Sequence, residues 1–223
     1  MKISELLRQR PTLSFEIFPP KNKDGDISSI YSTIDQLAQL KPDFISVTYG
    51  AGGSTTRNTV EIATMIKERW QIESVAHLSC IDATAENLRG VLDQLKEKGI
   101  ENILALRGDI PAGQTAPEVF PHASDLIREI RAMGDFCIGG ACYPEGHPES
   151  KNSVADIDGV RSKVESGCEF LTTQMFFDNN VYYNFLYRVL AAGIQVPVIP
   201  GIMPVINAKQ IKRSCELSGT VLP

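Results

Sequence analysis

Seven short apolar runs rich in β-branched residues alternate along the chain with amphipathic helical patterns, and no other feature limits the fold as much. The runs read as strands at Thr12–Phe18, Asp43–Gly50, Glu73–Cys80, Asn102–Gly108, Cys137–Pro144, Phe170–Phe177 and Pro197–Val205. A helical pattern fills Asn58–Trp70, where Val60, Ile62, Ala63, Ile66 and Trp70 recur at about 3.6-residue spacing. Others occupy Ala85–Lys98, Ala123–Met133, Val154–Glu165 and Val181–Ala192. Gly99, Gly134, Gly167 and Gly193 stand before the next strand, as C′ glycines do, at spacings of 35, 33 and 26 residues. Thr84 and Asn179 read as N-caps.

Seven βα units with no composition shift and no linker predict one parallel architecture, with residues 1–223 as a single catalytic domain. An open doubly wound sheet and a (β/α)₈ TIM barrel both fit the alternation. The barrel is favoured because polar residues finish almost every strand. Glu16 ends the first, Thr48 and Tyr49 the second, His77 the third, Arg107-Gly108-Asp109 the fourth and Tyr143 the fifth, and Gln174 lies late in the sixth. In a barrel these ends converge on one mouth, whereas a doubly wound sheet uses only its switch point. Such barrels usually run to ~250 residues. The count of seven strands therefore predicts that the eighth βα unit is missing, by C-terminal truncation, and that the natural chain continues past Pro223.

Charge and cysteine usage narrow the function. Lys plus Arg is 22 and Asp plus Glu is 27, a net charge of −5, which argues against a nucleic-acid or anionic-membrane surface. No apolar run approaches the ~18 residues of a membrane span, and Met1–Pro11 has no apolar stretch typical of a secretory signal. A cytoplasmic location is expected. Cys80, Cys137, Cys142, Cys168 and Cys215 form no CxxC pair and read as buried free thiols. His77 and Cys80 stand three apart on a strand and so point to opposite faces, and no metal site is expected.

Several motifs carry potential chemistry, each beside a plainer alternative. Ser14-Phe15-Glu16-Ile17-Phe18-Pro19-Pro20-Lys21 puts a carboxylate inside an apolar strand. Left without a cation it would have a raised pKa and suit a general acid; paired with Arg or Lys it would be structural. Val47–Ser54 is a glycine-rich strand-to-helix loop whose amides could approach a phosphate, or simply a flexible turn. It is not GxGxxG, because Thr55 stands where the third glycine belongs. Arg107-Gly108-Asp109 either forms a structural ion pair or orients a heterocycle and stabilises positive charge. Tyr143–Glu149 is a proline-stiffened loop that could present a ligand-binding surface, or its His147 is simply a solvated residue. Asp156 and Lys163 lie seven apart on one face of the following helix, which alone would be a solvated stripe. Gln174 offers an amide that could read the edge of a flat heterocycle, or is a core-edge glutamine.

Taken together and in order, SFEIFPPK, FISVTYGAGGS, HLSCIDAT, ILALRGD, ACYPEGHPE, TTQMFFD and PVIPGIMPV resemble the methylenetetrahydrofolate reductase family. The resemblance implies a barrel with FAD at the C-terminal mouth of its strands. It implies hydride transfer from NADH or NADPH through FAD to 5,10-methylenetetrahydrofolate, giving 5-methyltetrahydrofolate for methionine supply. Glu16 matches the general acid that protonates folate N10 and opens the ring to an iminium. Asp109 matches a carboxylate beside flavin N1 and the pterin. Gln174 matches a contact to folate or nicotinamide. Thr48, Tyr49, Ala51, His77, Arg107, Gly108, Ala123, Tyr143, His147, Asp156 and Lys163 match FAD-contacting positions. The resemblance further implies a homo-oligomer. Gly159 and Ser162 depart from the pattern, standing where bacterial relatives often carry polar or basic FAD contacts. Two other readings are a flavin-free relative or fragment acting as a partner subunit, and a pterin-binding, methyltransferase-like barrel.

Overall fold

A computed structural model describes residues 1–19, 27–49, 53–81, 83–110, 113 and 115–222, with the side chains of 53–57 left aside. The chain divides into two compact units, Met1–Ile138 and Gly139–Pro223. The first holds α1 (Ile3–Gln9), β1 (Ser14–Ile17), α2 (Ser28–Ala38), β2 (Phe44–Val47), α3 (Gly53–Trp70), β3 (Glu73–Ser79), α4 (Ala85–Glu97), β4 (Asn102–Leu106) and α5 (Ala123–Met133). Strand β5 (Cys137–Cys142) begins in it. The second holds the rest of β5, α6 (Ser153–Glu165), β6 (Phe170–Thr173), α7 (Asn179–Ala191), β7 (Val198–Ile199) and α8 (Ala208–Ser218).

Strand order follows chain order from β1 to β7. Pairing is parallel from β1 through β4 and from β5 through β7. A doubly wound sheet reverses its strand order at a switch point, and this one does not. The topology is that of the (β/α)₈ barrel, with seven of its eight βα units. Helices cover the strands, so β2 to β5 are largely buried on both faces rather than alternating. Ile34, Ile45, Ile62, Ile66, Leu92 and Ile103 are fully buried in the first unit, Phe170, Leu171 and Phe185 in the second.

Several boundaries differ from the sequence reading. β2, β4, β5 and β6 stop before their polar ends, whereas Glu16 and His77 lie within β1 and β3; β4 closes at Leu106 because Gly108, at φ 85°, turns the chain out of the ladder. β7 is only Val198–Ile199, since Pro200 and Pro204 supply no N–H for pairing. Thr84 does cap α4, accepting the Asn87 N–H at 3.1 Å. The cap of α7 is Asp178, one residue before the expected Asn179, and it accepts the Asn180 N–H at 2.8 Å. Gly99, Gly167 and Gly193 have positive φ, but Gly134 is extended at φ 177°. Space decides there: a Cβ would lie 2.6 Å from Lys96 Cε.

Helix α1 was not foreseen, being too short to show a period. Buried Asn102 ties it to the strand ends. Its Oδ1 accepts the Ile3 N–H at 2.8 Å, and its Nδ2 donates to the carbonyls of Met1 and Ser74. All five cysteines are buried free thiols. Burial pushes those of Cys80 and Cys142 up to about 12, which leaves them unreactive. Among the described residues no helix is long and apolar enough to cross a membrane, and no cluster of His, Cys, Asp and Glu could hold a metal.

Candidate active site

In the first unit the expected residues gather at the C-terminal ends of β1 to β4. Glu16 sits opposite Ser46 in the β1–β2 register. No Arg or Lys lies within ion-pair reach of it among the described residues, so among those residues the structural pairing left open by the sequence is not formed. About 45% of its side chain is accessible, yet the surrounding protein removes enough hydration to raise its pKa. The facing titratable group is His77, whose Nε2 lies 3.8 Å from Glu16 Oε2. That is too long for a hydrogen bond. Burial lowers the His77 pKa to about 3, so the imidazole is neutral and the two form no ion pair near neutral pH. His77 Nε2 is a buried nitrogen with no partner.

His77 makes stability pH-dependent. With a folded pKa of about 3 against 6.5 for the free side chain, the unfolded chain binds more protons between those values. Stability therefore falls as pH drops through that window, by about 3 kcal/mol between pH 7 and pH 4. His77→Gln cannot titrate and should lose this dependence, whatever its baseline. Urea unfolding at half-unit pH steps checks it; parallel acid limbs in the two proteins would assign the effect elsewhere.

The exits of β3 and β4 are locked together by Ser79. Its hydroxyl donates to the Arg107 carbonyl and accepts the Ile81 N–H, both at 3.1 Å. The adjacent Gly108 takes φ 85°, and a Cβ there would lie 2.4 Å from Ser79 Oγ. Arg107 Nε donates to the Gly108 carbonyl at 3.3 Å. Asp109 follows, exposed, with no ion-pair partner among the described residues, so of the two readings the Arg107–Asp109 ion pair is not formed. Thr48 donates its N–H to Ile17 and accepts the Thr59 hydroxyl on its carbonyl, each at 3.0 Å, with partly buried Tyr49 next. Ala123 is buried at the start of α5, whose cap His122 forms a capping box with Asp125. Ala51 lies outside the described residues.

In the second unit the site residues form a network of their own. Tyr143 and His147 meet edge to face with centroids 4.7 Å apart. His147 donates its N–H to Asp156 Oδ1 at 2.9 Å, and its Nδ1 accepts the Glu149 N–H at 3.1 Å. Ser150 Oγ also donates to Asp156 Oδ1, at 3.1 Å. Asp156 is buried, and its Oδ2 has no partner. Lys163 reaches the Ala141 carbonyl on β5. These two residues thus face the strands and are not a solvated stripe. Gln174 Oε1 accepts the Met175 N–H at 2.9 Å, which commits its acceptor and orients its amide NH₂. An open cleft of about 270 Å³ lies beside the 145–153 loop, with Gly219 in its wall.

The family model described as methylenetetrahydrofolate reductase matches residues 2–223. This chain belongs to the methylenetetrahydrofolate reductase family. The 5,10-methylenetetrahydrofolate reductase of Pectobacterium carotovorum subsp. carotovorum is 42% identical over 217 residues, 97% of this chain and 72% of the relative. That of Escherichia coli (strain K12) is 42% identical over 211 residues, 95% of this chain and 70% of the relative. Methylenetetrahydrofolate reductase (NADH) 1 of Arabidopsis thaliana is 35% identical over 238 residues, all of this chain and 40% of that one. Among solved structures, 2,3-dimethylmalate lyase superposes with a TM-score of 0.63 at 11% identity, covering 96% of this chain and 78% of that one. Oxaloacetate acetylhydrolase gives 0.61 at 12% identity, covering 96% and 76%. At such identities the likeness is one of fold alone.

Within this member of the methylenetetrahydrofolate reductase family, sequence reasoning missed the residues that hold the site in shape. Ser79 and Ser150 act through single hydroxyls, and serines in loops are too common to stand out. The departure at Gly159 is open on its outer side, since a Cβ there would meet nothing within 4 Å.

Proposed function

We propose that this chain is a flavoenzyme that reduces 5,10-methylenetetrahydrofolate to 5-methyltetrahydrofolate with NADH or NADPH, using bound FAD. Family membership supports the reaction. The residues present also fit the cofactor. His77 Nε2 and Asp156 Oδ2 are buried polar atoms without partners, as expected of groups whose partner is a ligand. Thr48, Tyr49, Ala51, His77, Arg107, Gly108, Asp109, Ala123, Tyr143, His147, Asp156 and Lys163 would hold FAD. Bound there, FAD supplies two-electron hydride chemistry that no side chain can.

The observation that carries the reading is Glu16 near the end of β1, a carboxyl with a raised pKa and, among the described residues, no cation within ion-pair reach. A carboxyl that holds its proton more firmly than an ordinary one can give it to the folate N10. That protonation turns N10 into a leaving group and opens the imidazolidine ring to a cationic iminium. Asp109, an exposed acidic side chain with no ion-pair partner among the described residues, favours that cation. Gln174, its acceptor occupied, presents its NH₂ donors to a ring acceptor on folate or nicotinamide. The test is optical. Purified protein should be yellow, and its absorbance near 450 nm (roughly the flavin maximum) should bleach anaerobically with NADH or NADPH. Colourless protein that takes up no added FAD would overturn the proposal.

A further inference from the structure

The segment after α8 grips two loops of the second unit at once. Gly219 ends the helix at φ 72°, and a Cβ there would lie 2.7 Å from Pro148 Cγ, so the turn is pressed against the 145–148 loop. Buried Thr220 then donates its hydroxyl to the Met175 carbonyl at 3.0 Å and receives the Ser218 hydroxyl at 2.9 Å. The next residue, Val221, donates its N–H to Glu145 Oε2 at 2.8 Å. Ile211 and Cys215 of α8 pack on Met175 and Phe177 and seat the segment. One end of this grip is the residue whose N–H fixes the Gln174 amide. The other is two residues from His147.

We propose that Ser218–Val221 is a positioning clasp that couples the Gln174 loop to the His147 loop, with Thr220 and Glu145 as its two attachment residues. The inference rests on the proposed function only for what the two loops bind. Neither attachment residue is placed in contact with a reacting atom. Their effect is to hold Gln174 and His147 at a fixed separation, so loosening either attachment is felt at the other loop.

Thr220→Val removes the hydroxyl at nearly constant volume, and Glu145→Ala removes the other attachment. For Thr220→Val, the Kd of FAD for the apoprotein, read by quenching of flavin fluorescence, should rise five- to tenfold. Tenfold corresponds to ~1.4 kcal/mol, the scale of one buried hydrogen bond. For Glu145→Ala, the KM for methylenetetrahydrofolate should rise by a similar factor, with kcat within threefold. Each mutation thus acts on the loop that it does not touch. The double variant should be no worse than the poorer single one, because a clasp opened at one end is already open. Thr220→Ser and Glu145→Gln keep a donor and an acceptor and should restore both values. Additive effects confined to each residue's own loop would overturn the clasp. Hydrogen exchange separates this outcome from failure of the functional reading. Even in a protein that binds no flavin, amides of residues 146–150 should exchange at least tenfold faster in Thr220→Val than in the wild type. Unchanged exchange there would also overturn it.

Discussion

Replacing Glu16 with glutamine is expected to slow the reduction of methylenetetrahydrofolate by ~10²–10⁴-fold, the usual worth of a positioned general acid. Glutamine keeps the shape of the side chain and has no proton to give. Oxidation of NADH by an artificial two-electron acceptor needs no protonation of folate, and it should change by less than about tenfold, or ~1.4 kcal/mol. The two rates, measured on one preparation, separate a proton donor from a structural residue. Equal losses in both would return Glu16 to a structural role. The same substitution has a stability signature of opposite sign. The Glu16 pKa is raised in the fold, so the folded state binds more protons than the unfolded one just above pH 4.5. Its ionisation therefore costs stability as pH rises through that window. Glu16→Gln should raise the Tm at pH 7 and give no gain below pH 4. A side chain that weakens the fold at the pH where it works has a chemical reason to be there.

The strand pattern was legible because β2 to β5 are covered on both faces, which leaves mostly apolar runs such as Phe44–Val47, broken only by Ser46, and Ile103–Leu106. Strand ends were less so. Their limits depend on single backbone events, such as the positive φ of Gly108 or the prolines after Ile199, that a propensity window smooths over. The site was legible as a set of residue types, but not in how they are used. That Glu16 faces a neutral His77 is a product of the β1–β2–β3 register and of burial of the imidazole. Asp156 looked like a ligand contact alone. In the structure one of its oxygens organises the His147 loop and only the other is left open. Gln174 likewise lost half of its apparent versatility to the N–H of its own neighbour. Hydrogen bonds between residues close in sequence cost little entropy to form, so they claim side-chain groups that composition counts as free.

Asp109→Asn is expected to separate binding from chemistry. Asparagine keeps the size and can still accept a hydrogen bond, so FAD affinity, which rests on many other contacts, should change by no more than a few-fold. Reduction of methylenetetrahydrofolate should fall by about 10²-fold, the low end of what removing one preorganised electrostatic contact costs. The low end is appropriate because Asp109 is exposed, and water screens part of its field. The loss should fall on kcat more than on KM, since the positive charge that Asp109 favours is absent from bound substrate and develops as the ring opens. Asp109→Glu restores the charge at a displaced position and should recover part of the rate. Steady-state kinetics and flavin titration on the three proteins decide between the roles. An Asp109→Asn protein that cannot hold FAD would make this carboxylate a binding group and remove the electrostatic role assigned to it. A KM effect with unchanged kcat would place its contribution in substrate binding, before any charge has formed.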